Sequence, residues 1–121
     1  MGKCTIIGTI RAPSTVGQAV RINGKKCDEE TVWNVTAYGG ESVVTDFTID
    51  NRSSVDFDIV FDISTASDSE YTAEILDELD NPVSFPFSLT KETKNWKLKI
   101  TFDKYITEGS YDIEVIFDFS P

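Results

Sequence analysis

Residues Val55–Ile63 read VDFDIVFDI, and this stretch decides the fold of the chain. Its odd-numbered residues are all apolar, and three of its four even-numbered residues are aspartates. Because successive side chains of a β-strand point to opposite faces, the pattern predicts a strand with one apolar and one polar face. A helical period of 3.6 residues would instead mix the aspartates into the apolar stripe. A strand with one apolar face needs a second layer to cover it, so the other segments are candidates for that layer.

Alternating segments recur along the whole chain and are separated by turn residues at regular spacing. Besides the central strand, the predicted strands are residues 4–10, 18–22, 31–38, 42–50, 71–75, 83–89, 96–102 and 111–119. No segment of eight or more residues has a convincing helical period. The sequence therefore predicts an all-β fold, an antiparallel two-sheet sandwich of eight or nine strands that is immunoglobulin-like or jelly-roll-like. A length of 121 residues suits one domain, residues 1–121.

Local signals predict how some strands are connected. Asn23-Gly24 favours a hairpin from Ala19 to about Cys27, since both turn residues tolerate positive φ. The polar turn at residues 51–54 predicts a hairpin between the strand at 42–50 and the central strand. Pro86 interrupts the alternation of residues 83–89, which predicts an edge strand or a bulge, because proline cannot donate to a sheet ladder.

Composition and charge exclude several classes of function. The formal net charge is −10 and the isoelectric point is about 4.3, which argues against nucleic acid and anionic membrane surfaces as partners. No apolar run is long enough for a transmembrane helix, so we expect no membrane insertion. The first residues lack the apolar segment of a signal peptide, so either the chain is not exported or it is a mature domain with an initiator Met.

Catalysis has little support in the sequence, and we expect no enzyme. The chain contains no histidine, so the commonest general base is missing. Asp56, Asp58 and Asp62 lie on the outward face of the central strand, where carboxylates favour solubility and oppose edge pairing.

The two cysteines, Cys4 and Cys27, are candidates for a disulfide. The bond would close a loop of roughly twenty residues and stabilise the fold by about 3 kcal/mol. The alternative is a pair of free thiols, as expected in a reducing compartment. The even cysteine count favours the disulfide.

No cofactor is expected, but calcium is the best small-ligand hypothesis. The cluster Asp77, Glu78, Asp80 and Asn81 offers the oxygen ligands that this ion takes, and Asp68 with Glu70 offers a second cluster. The simpler interpretation is turn chemistry, since Asp and Asn are ordinary turn residues.

Two kinds of residue bear on carbohydrate, the possible glycosylation sites and the aromatic residues. Asn34 and Asn51 each begin an Asn-x-Ser/Thr acceptor pattern for glycosylation, although such matches also arise by chance. The aromatic residues Trp33, Trp96 and Tyr111 lie on apolar strand faces and are predicted to pack in the core rather than to stack on a sugar. Tyr38 and Tyr105 fall outside that pattern and are predicted to be surface aromatics.

The stretch Gly39–Ile63 resembles a motif of secreted immunoglobulin-like modules, found in archaeal and bacterial surface proteins and beside secreted glycosidases. In those modules a Gly-Glu turn, here Gly40-Glu41, leads into a strand that ends in an Asn, here Asn51. Residues 96–117, with Gly109-Ser110-Tyr111 inside them, resemble the closing hairpin of the same modules. A similar arrangement occurs in camelysin-like biofilm-fibre subunits. The resemblance implies an extracellular or cell-surface structural protein that binds protein partners or associates with itself.

The leading hypothesis is therefore a non-enzymatic structural or interaction module of a secreted, cell-surface or particle-surface assembly, such as a fibre subunit. In such assemblies an N-terminal strand can leave its own sheet and complete that of a neighbour. The candidate donor residues are Thr5, Ile6, Ile7, Thr9 and Ile10. The simpler alternative is that this strand pairs within its own sheet. Two other classes stay open, a carbohydrate-binding accessory module of a secreted enzyme and a viral or phage surface protein.

Overall fold

The computed structural model describes residues 3–11, 19–25, 29, 31–64 and 71–120, and these residues form strands and turns without any helix. The strands are β1 (Lys3–Arg11), β2 (Val20–Ile22), β3 (Thr31–Tyr38), β4 (Ser42–Asn51), β5 (Phe57–Ser64), β6 (Tyr71–Leu76), β7 (Phe87–Leu89), β8 (Thr93–Phe102) and β9 (Gly109–Ser120). The all-β prediction is confirmed.

The strands form two sheets that pack face to face. The five-stranded sheet has the order β3-β1-β9-β5-β7, and the four-stranded sheet has the order β2-β4-β8-β6. Neighbouring strands are antiparallel with one exception among those described, because β1 runs parallel to β9. The alternation predicted an antiparallel sandwich throughout, and the parallel pair of β1 and β9 corrects that prediction. Alternation identifies which face a residue takes but carries no information about the direction of the neighbouring strand.

Consecutive strands always lie in different sheets, so the described connections cross the sandwich instead of returning in the same sheet. The expected hairpin between β4 and β5 is therefore wrong: β4 pairs with β2 and β8, and β5 pairs with β7 and β9. The closing hairpin expected over residues 96–117 is wrong for the same reason, since β8 and β9 belong to different sheets. A short polar turn can either reverse a strand within its sheet or carry the chain to the facing sheet, and the turn residues alone do not distinguish the two.

The Asn23-Gly24 turn forms as predicted. Both residues have positive φ, 53° and 74°, and Ile22 and Lys25 exchange two backbone hydrogen bonds across them. The second arm of the expected hairpin is a single bridge at Lys25, and Cys27 lies outside the described residues.

β7 lies at the edge of the five-stranded sheet, beside β5, as the proline in residues 83–89 predicts. It is only three residues long and begins directly after Pro86, which follows a cis peptide bond. The proline keeps the preceding residues out of the ladder because it has no N–H to donate.

The core lies between the sheets and is built from the inward residues of each alternating strand. Ile49, Ile59, Leu89, Val115 and Phe117 are completely buried. Outward residues of the same strands, such as Asp58 and Asp118, are exposed. In the central strand Phe57 and Ile59 are buried and Asp58 is exposed, as the alternation predicts, whereas Val55 precedes β5 and is exposed. Burial of such inward residues supplies most of the favourable free energy of folding.

Candidate functional site

The first candidate site is the β1 slot, defined here as the gap between β3 and β9 that β1 fills. On one side β1 pairs antiparallel with β3, from Lys3 opposite Tyr38 to Ile10 opposite Thr31. On the other side it pairs parallel with β9, from Cys4 opposite Gly109 to Arg11 opposite Ile116. Since neighbouring strands lie about 4.8 Å apart, β3 and β9 lie about 10 Å apart on the two sides of β1, which pairs with the inner edge of each.

The candidate donor residues occupy this slot within their own chain, as the simpler interpretation predicts. Ile10 is buried in the core, whereas Ile7 is 42 % exposed on the outer face with Thr5 and Thr9 beside it. The backbone of Ile6 pairs with Val35 and Tyr111. The slot therefore provides a hydrogen-bonded partner on each side and one apolar position that faces the core.

Gly8 gives the slot a specific shape. It lies opposite Trp33, and a Cβ atom at position 8 would overlap the indole ring. The absence of a side chain lets the ring lie across β1, and Trp33 packs against the core as predicted. A strand that fills this slot must carry glycine at this position, because the ring is rigid and cannot shift like the end of a flexible side chain.

The second candidate is the loop cleft, a cavity of about 450 Å³ between the β6–β7 loop and β8. Its walls include carboxylate, amide and aromatic side chains. The lining residues are Asp77, Glu78, Leu79, Pro82, Val83, Ser84, Phe87, Thr93, Lys94, Asn95 and Trp96. Such a mixture of polar groups and aromatic surface is typical of small-ligand sites.

Asp77 organises the loop beside this cleft. Its Oδ1 accepts hydrogen bonds from the backbone N–H groups of Asn81, at 2.9 Å, and Leu79, at 2.8 Å. The Asn81 bond, followed by the Leu79 bond, lowers the pKa of the Asp77 carboxyl below its ordinary value. Asp80 adopts a positive φ of 65°, and its carboxylate lies 2.7 Å from Nζ of Lys97. This hydrogen bond is the main reason that the pKa of Lys97 is raised.

The proposed calcium ligands are thus engaged in turn and ion-pair contacts. Asp77 holds two backbone amides, Asp80 pairs with Lys97, and Glu78 and Asn81 are exposed. Within the described ranges, no group of three acidic or cysteine side chains is arranged to hold a metal ion. The second cluster, Asp68 and Glu70, lies outside the described residues.

Trp96 is buried and Tyr38 and Tyr105 are exposed, as the sequence predicts. Trp96 is 3 % exposed, and its ring makes edge contacts with Phe47, Phe85 and Phe87 at centroid distances of 5.0–6.2 Å. It therefore supports the floor of the loop cleft rather than presenting a flat face to a sugar. Tyr38 and Tyr105 are 50 % and 80 % exposed.

Tyr111 opens β9 with a contact of its own. Its side chain is half-buried and packs against the core, and its hydroxyl donates a hydrogen bond to the backbone carbonyl of Thr107. In β-sandwich domains a tyrosine hydroxyl often donates a hydrogen bond to the backbone a few residues earlier, a feature called the tyrosine corner. The Gly109-Ser110-Tyr111 segment therefore has a structural role at this end of the sheet.

The two glycosylation candidates differ in environment. Asn34 is exposed on β3. Asn51 is 1 % exposed and is the single buried polar residue in the described part of the chain. Its Nδ2 donates to the carbonyls of Val55, at 2.7 Å, and Leu89, at 3.2 Å. In the folded chain this amide is closed to a glycosylating enzyme.

Sequence reasoning missed the role of Asn51, which is to join the two sheets where β4 crosses to β5. Its Oδ1 accepts from the backbone N–H of Ser53, at 3.0 Å, and from the Ser53 hydroxyl, at 2.8 Å. The side chain therefore holds the turn at residues 53–55 and a carbonyl of β7 together. The small polar residues that follow Asn51 were the available signal, because such residues favour local side-chain to backbone hydrogen bonds.

Charged groups flank this crossover. The carboxylate of Asp50 accepts a 2.7 Å hydrogen bond from Arg52, which lowers the pKa of Asp50. Glu92 accepts a 2.6 Å hydrogen bond from the Thr90 hydroxyl, and this contact lowers the pKa of Glu92. Both carboxylates are therefore better stabilised in the folded chain than in the unfolded one.

The disulfide between Cys4 and Cys27 stays a prediction, because Cys27 lies outside the described residues. Within the described ranges, no helix has the length and apolar character needed to cross a membrane. No family model matches the chain, and no curated protein matches it either. The β1 slot and the loop cleft are therefore the candidate functional sites of the described chain.

Proposed function

We propose that the chain is a non-enzymatic structural module of a secreted, cell-surface or particle-surface assembly, in which β1 of one copy completes the sheet of the next. The observation that carries the proposal is the position of β1. This N-terminal strand is inserted between β3 and β9 and is parallel to β9, so it is an addition to a sheet that is otherwise antiparallel.

The finer fold type that fits this proposal is a jelly roll. From β3 to β9 the chain alternates between the sheets at every step, and β3, β9, β5 and β7 keep the order of one jelly-roll sheet when β1 is left out. β1 thus adds backbone hydrogen bonds to both β3 and β9, and within the described residues it is the strand through which β3 joins this sheet. Such an added strand can be supplied by the same chain or by a neighbour, since the contacts are the same.

The resemblance to immunoglobulin-like surface modules and camelysin-like fibre subunits adds support. The Asn that ends β4 and the tyrosine that opens β9 both have structural roles in this chain. We therefore place the protein outside the cell or on a particle, where protein partners or further copies of the chain are its ligands. A disulfide between Cys4 and Cys27 would tether β1 and restrict exchange.

The test is the molar mass of the full chain by light scattering, across concentration and with and without reductant. We expect large species that grow with concentration. A free peptide of residues 3–11 in excess should block growth, because it fills the slot, whereas the same peptide with Gly8→Val should not, because its side chain overlaps Trp33. A monomer under every condition, or equal effects of the two peptides, would refute the proposal.

A second candidate function is carbohydrate binding, and the loop cleft is the observation that favours it. Phe87 and Lys94 line the cleft, and the Lys94 ammonium lies 5.9 Å from the centre of the Phe87 ring. A sugar-array screen tests it, with Asn95→Ala as the variant that should weaken any binding that occurs in the cleft. An array without a bound sugar would remove this alternative.

A further inference from the structure

We propose that the free edge of β3 is a self-association site, through which two copies of this chain pair antiparallel and join their five-stranded sheets into one. β3 is eight residues long and lies at the end of its sheet. Within the described part of the chain, no strand pairs with its outer edge. An edge strand presents a row of backbone N–H and C=O groups that another strand can satisfy.

The other edges in the described structure carry features that hinder such pairing. β2 and β7 are three residues long, and β7 directly follows Pro86. β6 carries Glu74 and is followed by a loop that returns to it, where Leu76 bridges to Pro82. Short strands, charges, prolines and covering loops are the usual protections of a sheet edge.

Within the residues that the structure describes, β3 has none of these protections. Its sequence, TVWNVTAY, contains no charged residue and no proline, and it is rich in β-branched and aromatic residues. Val32 is 58 % exposed and Tyr38 is 50 % exposed on its outward face. A long, uncharged edge with exposed apolar side chains is the feature expected of a site for strand addition.

The charge distribution indicates where a second copy, the partner that we propose, can approach. The chain carries a net charge of −10, so two copies repel one another over most of their surface. The acidic outward residues of the five-stranded sheet lie on β9 and β5, including Asp112, Asp118 and Asp58. The outward positions of β3, and Thr5, Ile7 and Thr9 on the neighbouring β1, are uncharged. This strip is therefore where two copies approach with the least repulsion.

The register of the pair follows from geometry. A two-fold axis perpendicular to the sheet leaves the outward faces of both copies on the same side of the joined sheet. Residues directly opposite each other must therefore both point outward or both point inward. With the axis at Val35, Tyr38 lies opposite Val32 of the second copy, and Asn34 lies opposite Thr36. Aromatic residues opposite β-branched residues are favourable cross-strand pairs. Inward, the large Trp33 lies opposite the small Ala37.

The test uses sedimentation of the full chain and two double variants at the exposed positions 34 and 36. In Asn34→Lys with Thr36→Lys, lysines meet directly across the axis, and in Asn34→Asp with Thr36→Asp, aspartates meet. Each variant alone is expected to raise the dissociation constant of the dimer about tenfold or more. An equimolar mixture should restore dimers, because every lysine then faces an aspartate.

The control is Thr72→Lys, which places one lysine at an exposed position of β6, an edge strand of the other sheet. It should leave the dimer unchanged. A wild-type chain that stays monomeric up to about 1 mM, a double-lysine variant that dimerises like the wild type, or a mixture that stays monomeric would overturn the proposal.

Hydrogen exchange keeps the proposal testable if a variant fails to fold. In the wild-type chain, amide protection should rise with concentration at residues 31–38 and not at residues 71–76. Equal changes at both edges would refute the specific contact. Larger species that persist in the double-lysine variant and are blocked by the free β1 peptide belong to strand exchange, so the two contacts are distinguished.

Discussion

Replacing Asn51 by Asp tests whether one buried amide holds the crossover between the sheets. The change keeps the size and the oxygen that accepts from Ser53, but it replaces the donor that serves the carbonyls of Val55 and Leu89. At neutral pH an ionised carboxylate would face two carbonyl oxygens in a site that is 1 % exposed. Burial and these contacts both disfavour the charged form, so we expect a raised pKa for the introduced carboxyl.

The magnitude follows from the two protonation states. A protonated carboxyl keeps one of the two donated hydrogen bonds, so its cost is about 1 kcal/mol. In the unfolded chain the introduced carboxyl has a pKa of about 3.9 and is ionised at pH 7. Keeping it protonated in the folded chain at that pH therefore costs up to about 4 kcal/mol more. We therefore expect Asn51→Asp to lower the free energy of unfolding by about 3–5 kcal/mol at pH 7. Because the folded pKa is raised, the loss should shrink to about 1 kcal/mol as the pH falls to about 4.

The assay is urea unfolding of the wild type and the variant at several pH values between about 4 and 7, followed by circular dichroism. Asn34→Asp is the matched control, since Asn34 begins the other glycosylation pattern but is exposed. This control should change stability by less than about 0.5 kcal/mol. A loss for Asn51→Asp that is below about 1 kcal/mol at pH 7, or that does not depend on pH, would refute the reasoning.

Three further predictions address the β1 slot, the acidic groups and the loop. Gly8→Ala should cost about 1–3 kcal/mol of stability in urea unfolding, because its Cβ overlaps the indole of Trp33; an equal cost in a Trp33→Ala background would contradict that cause. Acidification below about pH 4 should remove the stability supplied by Asp50 and Glu92, since hydrogen bonds hold the pKa of both carboxyls low in the folded state. The Asp50→Asn variant should lose less on acidification, and an identical acid profile would contradict the assignment. Calcium or a chelator should leave the melting temperature unchanged, because Asp77 already accepts two backbone N–H groups; a rise with calcium would restore the metal hypothesis.

The sequence predicted the faces of the strands well, because burial follows side-chain alternation directly. In β4 the inward residues Phe47 and Ile49 are buried, and in β8 Trp96 and Leu98 are buried, as their alternation indicates. The edge position of β7 was also predictable, since Pro86 acts through a local property of its own backbone. Predictions that depend on one residue and its immediate neighbours therefore succeeded.

Strand partners were not predictable in the same way, because pairing depends on contacts between distant parts of the chain. The polar turn after β4 looked like a hairpin turn, yet Asn51 uses it to bind the carbonyl of Leu89, 38 residues further along the chain, in the facing sheet. The β1 slot also depends on contacts between distant parts of the chain. The β1 slot exists only when β3 and β9 come within two strand spacings, and Gly8 has a role only because Trp33 then crosses it.

The same dependence bears on our proposal that the N-terminal strand can serve a neighbour as well as its own chain. The slot lies between β3 and β9, and within the described residues β3 joins its sheet through β1, so a strand from one copy or another must hold β3 in place. A strand from any copy makes the same hydrogen bonds there, so the choice depends on the length and freedom of the connection after Arg11 and on the local concentration of other copies. If β3 edges also pair, two copies are held side by side and that concentration rises. Lateral pairing through β3 would then favour exchange of β1, which links the two proposed contacts without a new surface.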